Sequence, residues 1–388
     1  MRHKFENSLG DCHALGMAGK CLLASVWLLS MAACGNAQQP AYTPRQQALR
    51  AEIGEMLLVG FQGVDVDSNH HIARDIRDYH VGGVILFEYS VPSSGRPRNI
   101  ASPQQLRRLC AQLQGLRAEP LLIGIDQEGG RVNRLRSQYG FPRFASAEEA
   151  SKGGPDSVRH YARLTAQTLH SMGINLNFAP CVDVNVNPQC PVIGKLGRSF
   201  SSRPRRVARC AAIWVEEHRK QHIISCPKHF PGHGSSSKDS HVGFVDVSDS
   251  WQAYELRPYK ELIARGLCDM VMTTHVFNAQ LDSLWPATLS PATLTTLLRD
   301  SLGFQGVVIT DDLAMGAMTK QYEYGEVLRR AILAGADMLC LSNNGMEYQP
   351  DMVPQTVDLI FQMVERGEIP EGRIHQSAHR IKALKEKL

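Results

Sequence analysis

Three short apolar runs decide the fold of this chain: Met270-Val-Met-Thr-Thr274, Val307-Val-Ile-Thr310 and Met338-Leu-Cys-Leu341. Each run is uninterrupted, which is typical of strands that are buried on both faces of a parallel sheet. The longer amphipathic stretches between them, 291–298 and 324–333, are predicted helices. Strands and helices that alternate in this way indicate an α/β fold with a parallel sheet.

The same alternation extends upstream to residue 50 and downstream to residue 366. Five more strands are predicted, at Met56–Phe61, Val84–Phe87, Leu121–Ile125, Leu176–Ala179 and Ile223–Cys226. Six more helices are predicted, at Ile72–Tyr79, Pro103–Leu116, Ser157–Met172, Pro204–Arg219, Trp251–Ala264 and Val353–Arg366. Eight strands, each followed by a helix, is the count of a TIM (β/α)8 barrel, and a doubly wound open sheet is the alternative. No internal repeat or linker interrupts the pattern, so a single domain is predicted over residues 45–388.

The composition is that of an ordinary folded protein. Of 388 residues, 43% are hydrophobic and 21% are charged, which excludes intrinsic disorder as a description of the whole chain. Lys and Arg number 42 and Asp and Glu number 38, for a net charge of +4. This balance gives no support to nucleic acid as a partner. No apolar stretch reaches the roughly 18 residues that a membrane span needs.

The N-terminus has the sequence of an export signal. Lys20 precedes the apolar run Cys21–Met31, and the small residues Ala32-Ala33 follow. Met31-Ala-Ala-Cys34 resembles a bacterial lipobox, which would place a lipid anchor on Cys34. We therefore predict that residues 1–37 are an export segment, and that Gln38 to about Arg45 is a tether. The expected location is the periplasm or the cell envelope. A cleaved soluble protein, a buried N-terminal helix and translation from Met17 are the alternatives.

The cysteines do not indicate a metal framework. Seven follow residue 45, and none is in a C-x-x-C pair, so a zinc framework is not expected. Cys181 and Cys190 either form a disulfide in an oxidising compartment or remain separate buried thiols.

Polar residues follow five of the predicted strands. They are Asp126, the pair Lys228 and His229, His275, the pair Asp311 and Asp312, and the pair Asn343 and Asn344. Catalytic residues of a barrel lie at the carboxyl ends of its strands, so we expect these side chains to share one site. A carboxylate there can attack the anomeric carbon of a sugar. Spacing alone does not decide whether Asp311 or Asp312 is that carboxylate, although Asp312 is the better candidate for a helix cap.

The loop after the fifth strand, Pro227–His241, carries three histidines, two lysines and one aspartate. One interpretation is a metal site made of His229, His233, Asp239 and His241. The spacing fits neither H-E-x-x-H nor a zinc finger, and the lysines would repel a cation. Another interpretation is a proton-transfer pair, in which Asp239 orients His241. The third is a solvated loop without a function.

Five motifs, taken in order, resemble glycoside hydrolase family 3, and most closely its bacterial β-N-acetylglucosaminidase (NagZ-type) branch. They are Gly124-Ile-Asp-Gln-Glu-Gly-Gly-Arg131, Asn177-Phe-Ala-Pro-Cys-Val-Asp-Val184, Gly197-Arg-Ser-Phe200, Lys228-His-Phe-Pro-Gly-His-Gly234 with Asp239-Ser-His241, and Thr310-Asp-Asp-Leu313. The segment Val192–Arg198 is longer than the family's usual form. The chain ends at Leu388, without room for the second domain of many family β-glucosidases, and this favours the N-acetylglucosaminidase branch.

The resemblance implies a retaining exo-glycosidase that needs no metal or organic cofactor. Asp311 would be the nucleophile, and His241, supported by Asp239, would be the general acid and then the base. The residues that would hold the sugar are Asp126, Arg134, Arg198, Lys228 and His229. The expected substrates are terminal β-linked N-acetylglucosamine of peptidoglycan fragments or chito-oligosaccharides. The alternatives are a family 3 β-glycosidase or phosphorylase acting on another sugar, and a sugar-binding barrel without catalysis.

Overall fold

All eight predicted strands are present in the computed structural model, which describes residues 42–91, 97–345 and 347–388. We number them β1 to β8 in chain order: Leu57–Gly60, Gly83–Leu86, Leu122–Ile125, Leu176–Asn177, Ile224–Ser225, Met270–Met272, Val307–Ile309 and Leu339–Leu341. Every residue of these strands is buried, as the uninterrupted apolar runs predict. The predicted export segment and Cys34 lie outside the described residues.

The strands close into a barrel. β8, β1, β2, β3, β4 and β5 form one parallel sheet in that order, and β6 pairs in parallel with β7. Two parallel bridges join the two sheets, Phe230 with Thr273 and Ile309 with Met338. Each strand therefore has a neighbour on both sides, and no edge remains open. The TIM barrel is confirmed, and the doubly wound open sheet is wrong.

Helices surround the barrel and account for all eight helix predictions. Their bounds are His71–Asp78, Pro103–Gln114, Gly154–Met172, Pro204–Arg219, Arg257–Ala264, Tyr324–Ala334 and Met352–Glu365, with a π-helix at Ala292–Ser301. Short 3-10 turns lie at Ser137–Tyr139, Gly194–Leu196, Ala253–Leu256 and Ala287–Leu289. Four helices were not predicted: Pro44–Glu55, Ala147–Lys152, Gly316–Thr319 and Glu371–Lys385. The predicted tether therefore overlaps the first helix, and the compact unit comprises Pro44–Leu388.

Local sequence explains where these helices begin and end. Ser102 caps Pro103–Gln114, because its hydroxyl accepts a hydrogen bond from the amide of Gln105 at 3.2 Å. Gly173 ends Gly154–Met172 with a φ of 80°, a conformation that favours glycine. Each of these helices has an apolar face that is buried against the barrel, and this burial stabilises the helix. Within the described ranges, none of the helices has the length and apolarity to cross a membrane.

Cys181 and Cys190 are separate buried thiols, so the disulfide alternative is wrong. The Cys181 thiol donates to a carboxylate oxygen of Asp183 at 3.2 Å. The Cys190 sulfur lies 3.2 Å from the hydroxyl of Ser236. Each sulfur therefore has a polar partner of its own in the loops above the barrel.

Candidate active site

The polar residues that follow the strands meet at one end of the barrel. Asp126 comes directly after β3, Lys228 follows β5, His275 follows β6 and Asp311 follows β7. Because the strands are parallel, their carboxyl ends open on the same face. The barrel therefore collects side chains that lie far apart in the sequence.

A buried lysine links the third and fifth strands. The Nζ atom of Lys228 lies 2.6 Å from Oδ1 of Asp126 and 2.8 Å from Oε1 of Glu128. Burial lowers the pKa of Lys228, but the two carboxylates outweigh it and hold the pKa above its usual value. The lysine is therefore a fixed cation beside Asp126, which lies partly exposed at the mouth of the barrel.

Arg198 continues this charge network. Its guanidinium donates to both oxygens of Glu128, at 2.9 and 2.7 Å, in a bidentate pair. Burial raises the pKa of Glu128, but Arg198 and Lys228 outweigh it and lower that pKa strongly. Arg198 also lies 3.1 Å from Nε2 of His229. Although its segment is longer than the family's usual form, Arg198 reaches the same cluster as Lys228.

The neighbours of His229 determine its tautomer. Arginine can only donate hydrogen bonds, so Nε2 of His229 accepts the one from Arg198. The ring proton is therefore on Nδ1, which lies 2.6 Å from a carboxylate oxygen of Asp183. Asp183 is buried, and it also accepts from the amide of His233 at 2.7 Å. Asp183 thereby holds both ends of the Lys228–Gly234 motif in position.

Asp311 and Asp312 are in different environments. Burial raises the pKa of Asp311, but His229, His275 and His241 outweigh it and lower that pKa below its ordinary value. Asp311 is therefore an ionised carboxylate beside imidazoles. Asp312 accepts from the backbone amides of Ser342 and Ala314, at 3.0 and 3.2 Å. Asp312 thus joins β7 to β8 and caps the following turn.

The loop that carries Asp239 and His241 contacts the turn that follows Asp311. Nδ1 of His241 lies 2.7 Å from Oδ1 of Asp239, which leaves Nε2 free to transfer a proton. The backbone oxygen of His241 accepts from the amide of Gly316 at 3.1 Å. A Cβ at Gly316 would lie 2.9 Å from that oxygen, so a glycine permits this close approach. The His241 side chain is 62% exposed and remains accessible to a substrate.

Arg134 lies on the other side of Asp126. Its guanidinium is 3.7 Å from Asp126 and 3.5 Å from Glu88, and it stacks over Phe87. Glu88 is buried and also binds Arg136 at 2.6 Å. Glu88 thus orients Arg134 toward the mouth of the barrel. The structure therefore brings together the residues for which the sequence predicts a role in sugar binding.

The residues of the metal alternative, His229, His233, Asp239 and His241, do not converge. The rings of His229 and His233 are directed to other partners, and Asp239 binds His241. Within the described ranges, one group of three potential ligand atoms lies within 4.8 Å of one another: Cys181, Asp183 and His229. Arg198 lies next to this group, 3.1 Å from Nε2 of His229, so a cation there would meet electrostatic repulsion.

Three buried site residues were missed by sequence reasoning. Glu128 and Asp183 both lie in the motifs quoted above. Glu128 is close in sequence to Asp126, whereas Asp183 lies in the loop after β4, away in sequence from every predicted site residue. Arg98 had no such signal. Its guanidinium donates to the backbone oxygens of Phe61 and Ser342, at 2.9 and 2.8 Å, and so ties the end of β1 to the end of β8. Burial lowers the pKa of Arg98 to about 10.

Comparisons with known proteins agree on one family. The family described as "Glycosyl hydrolase family 3 N terminal domain" matches residues 48–384. A beta-hexosaminidase of Tolumonas auensis is 35% identical over 292 residues, which cover 74% of this chain and 83% of that protein. Beta-hexosaminidase LpqI of Mycobacterium tuberculosis is 31% identical over 358 residues, which cover 89% and 85%.

A solved structure is similar over the same region. The family 3 beta-N-acetylglucosaminidase from a Paenibacillus species superposes with a TM-score of 0.78 at 36% identity. The match covers 89% of this chain and 63% of the Paenibacillus chain. The present chain therefore spans less than two thirds of the length of that enzyme.

Proposed function

The chain belongs to glycosyl hydrolase family 3, and on that premise we propose that it is a retaining glycosidase that releases terminal β-linked N-acetylglucosamine. The proposal follows the names of the relatives, which are beta-hexosaminidases at 31 to 36% identity. The single observation that carries it in this structure is the position of His241. This histidine is paired with Asp239, and its backbone oxygen accepts a hydrogen bond from Gly316 in the turn that follows Asp311.

Glycosylation of the enzyme is the first step. Asp311 is ionised and attacks the anomeric carbon, forming a carboxylate–carbon bond as the glycosidic carbon–oxygen bond breaks. His241 donates its Nε2 proton to the departing oxygen. Asp239 stabilises the protonated ring, because its carboxylate accepts the Nδ1 hydrogen bond. The leaving alcohol carries away the proton, and the enzyme retains the sugar on Asp311.

Deglycosylation reverses these roles. The neutral His241 removes a proton from water, the hydroxide adds to the anomeric carbon, and Asp311 departs as a carboxylate. An uncharged base is suited to this site, because it does not repel Asp311 as a second carboxylate would. Two inversions at the same carbon restore the β configuration, which makes the enzyme retaining.

The charge network holds the sugar during both steps. The mouth of the barrel is lined by one carboxylate, three cations and one imidazole, which belong to Asp126, to Arg134, Arg198 and Lys228, and to His229. Their partners Glu88, Glu128 and Asp183 are buried, so the network is preorganised before substrate enters. Hydrogen bonds to sugar hydroxyls strengthen as the ring flattens in the transition state.

The natural substrate class and the location rest on the sequence. We propose that peptidoglycan fragments or chito-oligosaccharides supply the terminal sugar, and that the protein is exported to the cell envelope through residues 1–37. The lipobox-like Met31-Ala-Ala-Cys34 supports a lipid anchor.

Two measurements test the proposed reaction. Aryl β-N-acetylglucosaminide and aryl β-glucoside are compared in EDTA, with and without phosphate; we expect hydrolysis of the N-acetyl sugar alone. A sugar phosphate as product would instead indicate a phosphorylase. A fluorosugar that traps the covalent intermediate should label the peptide that contains Asp311. Label on another carboxylate would refute the assigned nucleophile. Asp312→Asn is the control, because it changes the neighbouring carboxylate and should leave the label on Asp311.

A further inference from the structure

Exposed apolar side chains gather on the loops around the active face. Most of the large apolar residues that the described structure leaves exposed follow a barrel strand: Val64, Tyr89, Val91, Val242, Phe244 and Leu284. Two of them closely follow the proposed acid/base in the sequence. Val242 is 65% exposed and Phe244 is 42% exposed, one and three residues beyond His241. Apolar surface next to a catalytic histidine indicates a contact with substrate.

Phe244 is held in a defined position. Its ring packs on that of Phe277, with centroids 5.6 Å apart and planes at 39°. The backbone beyond it is paired with the loop after β6, because the amide of Phe277 donates to Val245 at 2.8 Å. The rest of the ring is open to solvent, since Phe244 is 42% exposed. Phe244 is therefore an exposed aromatic ring that is supported from one side by Phe277.

The chemistry of the general acid determines which part of the substrate lies near His241. A general acid must reach the glycosidic oxygen within about 3 Å. The leaving group is bonded to that oxygen, so its first ring lies next to His241. Three residues span at most about 10 Å, so Phe244 lies within reach of this ring. The C–H face of a pyranose is apolar, and it packs on an aromatic face as other apolar groups do.

We propose that Phe244, with Val242 at its edge, forms the platform for the leaving group and selects a second pyranose ring over a small alcohol. The inference rests on the proposed role of His241 as the acid. It names the part of the substrate that these two residues recognise, namely the sugar next to the terminal N-acetylglucosamine.

The test compares two substrates that both need the acid. N,N′-diacetylchitobiose and methyl β-N-acetylglucosaminide have poor leaving groups, but only the first presents a ring to Phe244. We expect Phe244→Ala in the full chain to lower kcat/KM for the disaccharide about tenfold, a loss the size of one aromatic contact, and to leave the methyl glycoside within about twofold. Phe244→Tyr keeps an aromatic ring and should retain the wild-type kcat/KM for the disaccharide. Phe244→Leu keeps an apolar contact with Phe277 but removes the flat face, and it should show a partial loss.

Controls separate this inference from the proposed function. Tyr254→Ala removes an aromatic ring of similar exposure and should change neither substrate. His241→Ala should impair both substrates. An equal loss of kcat/KM on both substrates in Phe244→Ala would mean that Phe244 only positions the loop. No loss on either substrate would mean that the ring does not contact the leaving group. Either result overturns this inference and leaves the proposed function intact. If the wild-type protein cleaves neither substrate, the proposed function fails, and the inference fails with it.

Discussion

Replacing Glu128 with glutamine removes one charge from the centre of the site while keeping the shape of the side chain. Glu128 is buried and accepts three charge-assisted hydrogen bonds, two from Arg198 and one from Lys228. Lys228 keeps Asp126 as a partner in the variant. Arg198 is left with the backbone oxygen of Val192 and with His229, without a carboxylate in contact in the part of the chain that the structure describes.

The magnitude follows from this burial. Removing one partner of a buried ion pair costs about 3 to 5 kcal/mol, because the remaining charge is desolvated and unpaired. We therefore expect Glu128→Gln to lower the free energy of unfolding by that amount, a large share of the ~5 to 15 kcal/mol of a typical protein. The loss of this carboxylate should also displace Arg198 and Lys228, and kcat/KM on aryl β-N-acetylglucosaminide should fall as a result.

The pH dependence of this loss has a defined sign. The fold lowers the pKa of Glu128 below its unfolded value of about 4.3. The stabilisation by the ionised carboxylate is therefore complete above the unfolded pKa, and it is lost as the pH falls toward the folded pKa. The difference in free energy of unfolding between the wild type and the variant should be constant above about pH 5 and should narrow below about pH 4.

Urea unfolding of the full chain, followed by tryptophan fluorescence, measures the loss. Glu216→Gln is the matched control: Glu216 is exposed and pairs with Arg265 at 2.8 Å, so about 0 to 1 kcal/mol is expected. If Glu128→Gln cost no more than Glu216→Gln, or if its cost did not depend on pH at the acid end, the reasoning from burial would be refuted.

Two further predictions concern a buried acid and the N-terminus. Burial raises the pKa of Glu255 to about 7, so between pH 5 and pH 8 the folded state binds a proton on this carboxyl that the unfolded state does not bind. The free energy of unfolding therefore falls as the pH rises over this range. Glu255→Gln should remove about 3 kcal/mol of that decrease, measured by urea unfolding at several pH values. An identical pH profile in the variant would contradict it. Cys34→Ala should move the protein from the membrane fraction to the soluble fraction when the cells are fractionated, and an unchanged distribution would exclude the lipid anchor.

The barrel strands could be predicted because each is buried on both faces. A strand in that position must be apolar throughout, and a run such as Val307–Ile309 differs clearly from the amphipathic helices around it. The helix Pro44–Glu55 was missed for the opposite reason. It is polar over most of its surface and buries only Leu49, Ile53 and Gly54, so its pattern is too weak to distinguish it from a tether.

The site could be predicted in part. Polar residues at strand ends are conspicuous after apolar runs, and the motifs led to Asp311, His241 and Lys228. The buried partners were not found, because a carboxylate such as Glu128 has the same local sequence whether it faces solvent or two cations. Arg98 lies in a loop without any repeating pattern, and only the meeting of β1 and β8 shows what it binds.

The sequence by itself determined the class of fold, the number and order of the strands, and the chemistry available at their ends, because periodicity and residue type are local properties. The tertiary structure decided that the barrel closes, that Asp312 is a structural tie while Asp311 faces the histidines, and that Cys181 and Cys190 stay apart. It also decided which charges neutralise one another. These outcomes depend on distances between segments that lie far apart in the sequence, such as the pairing of Leu57 with Leu339 and the 2.6 Å between Lys228 and Asp126. The energy of a charge depends on its nearest neighbours in space rather than in sequence.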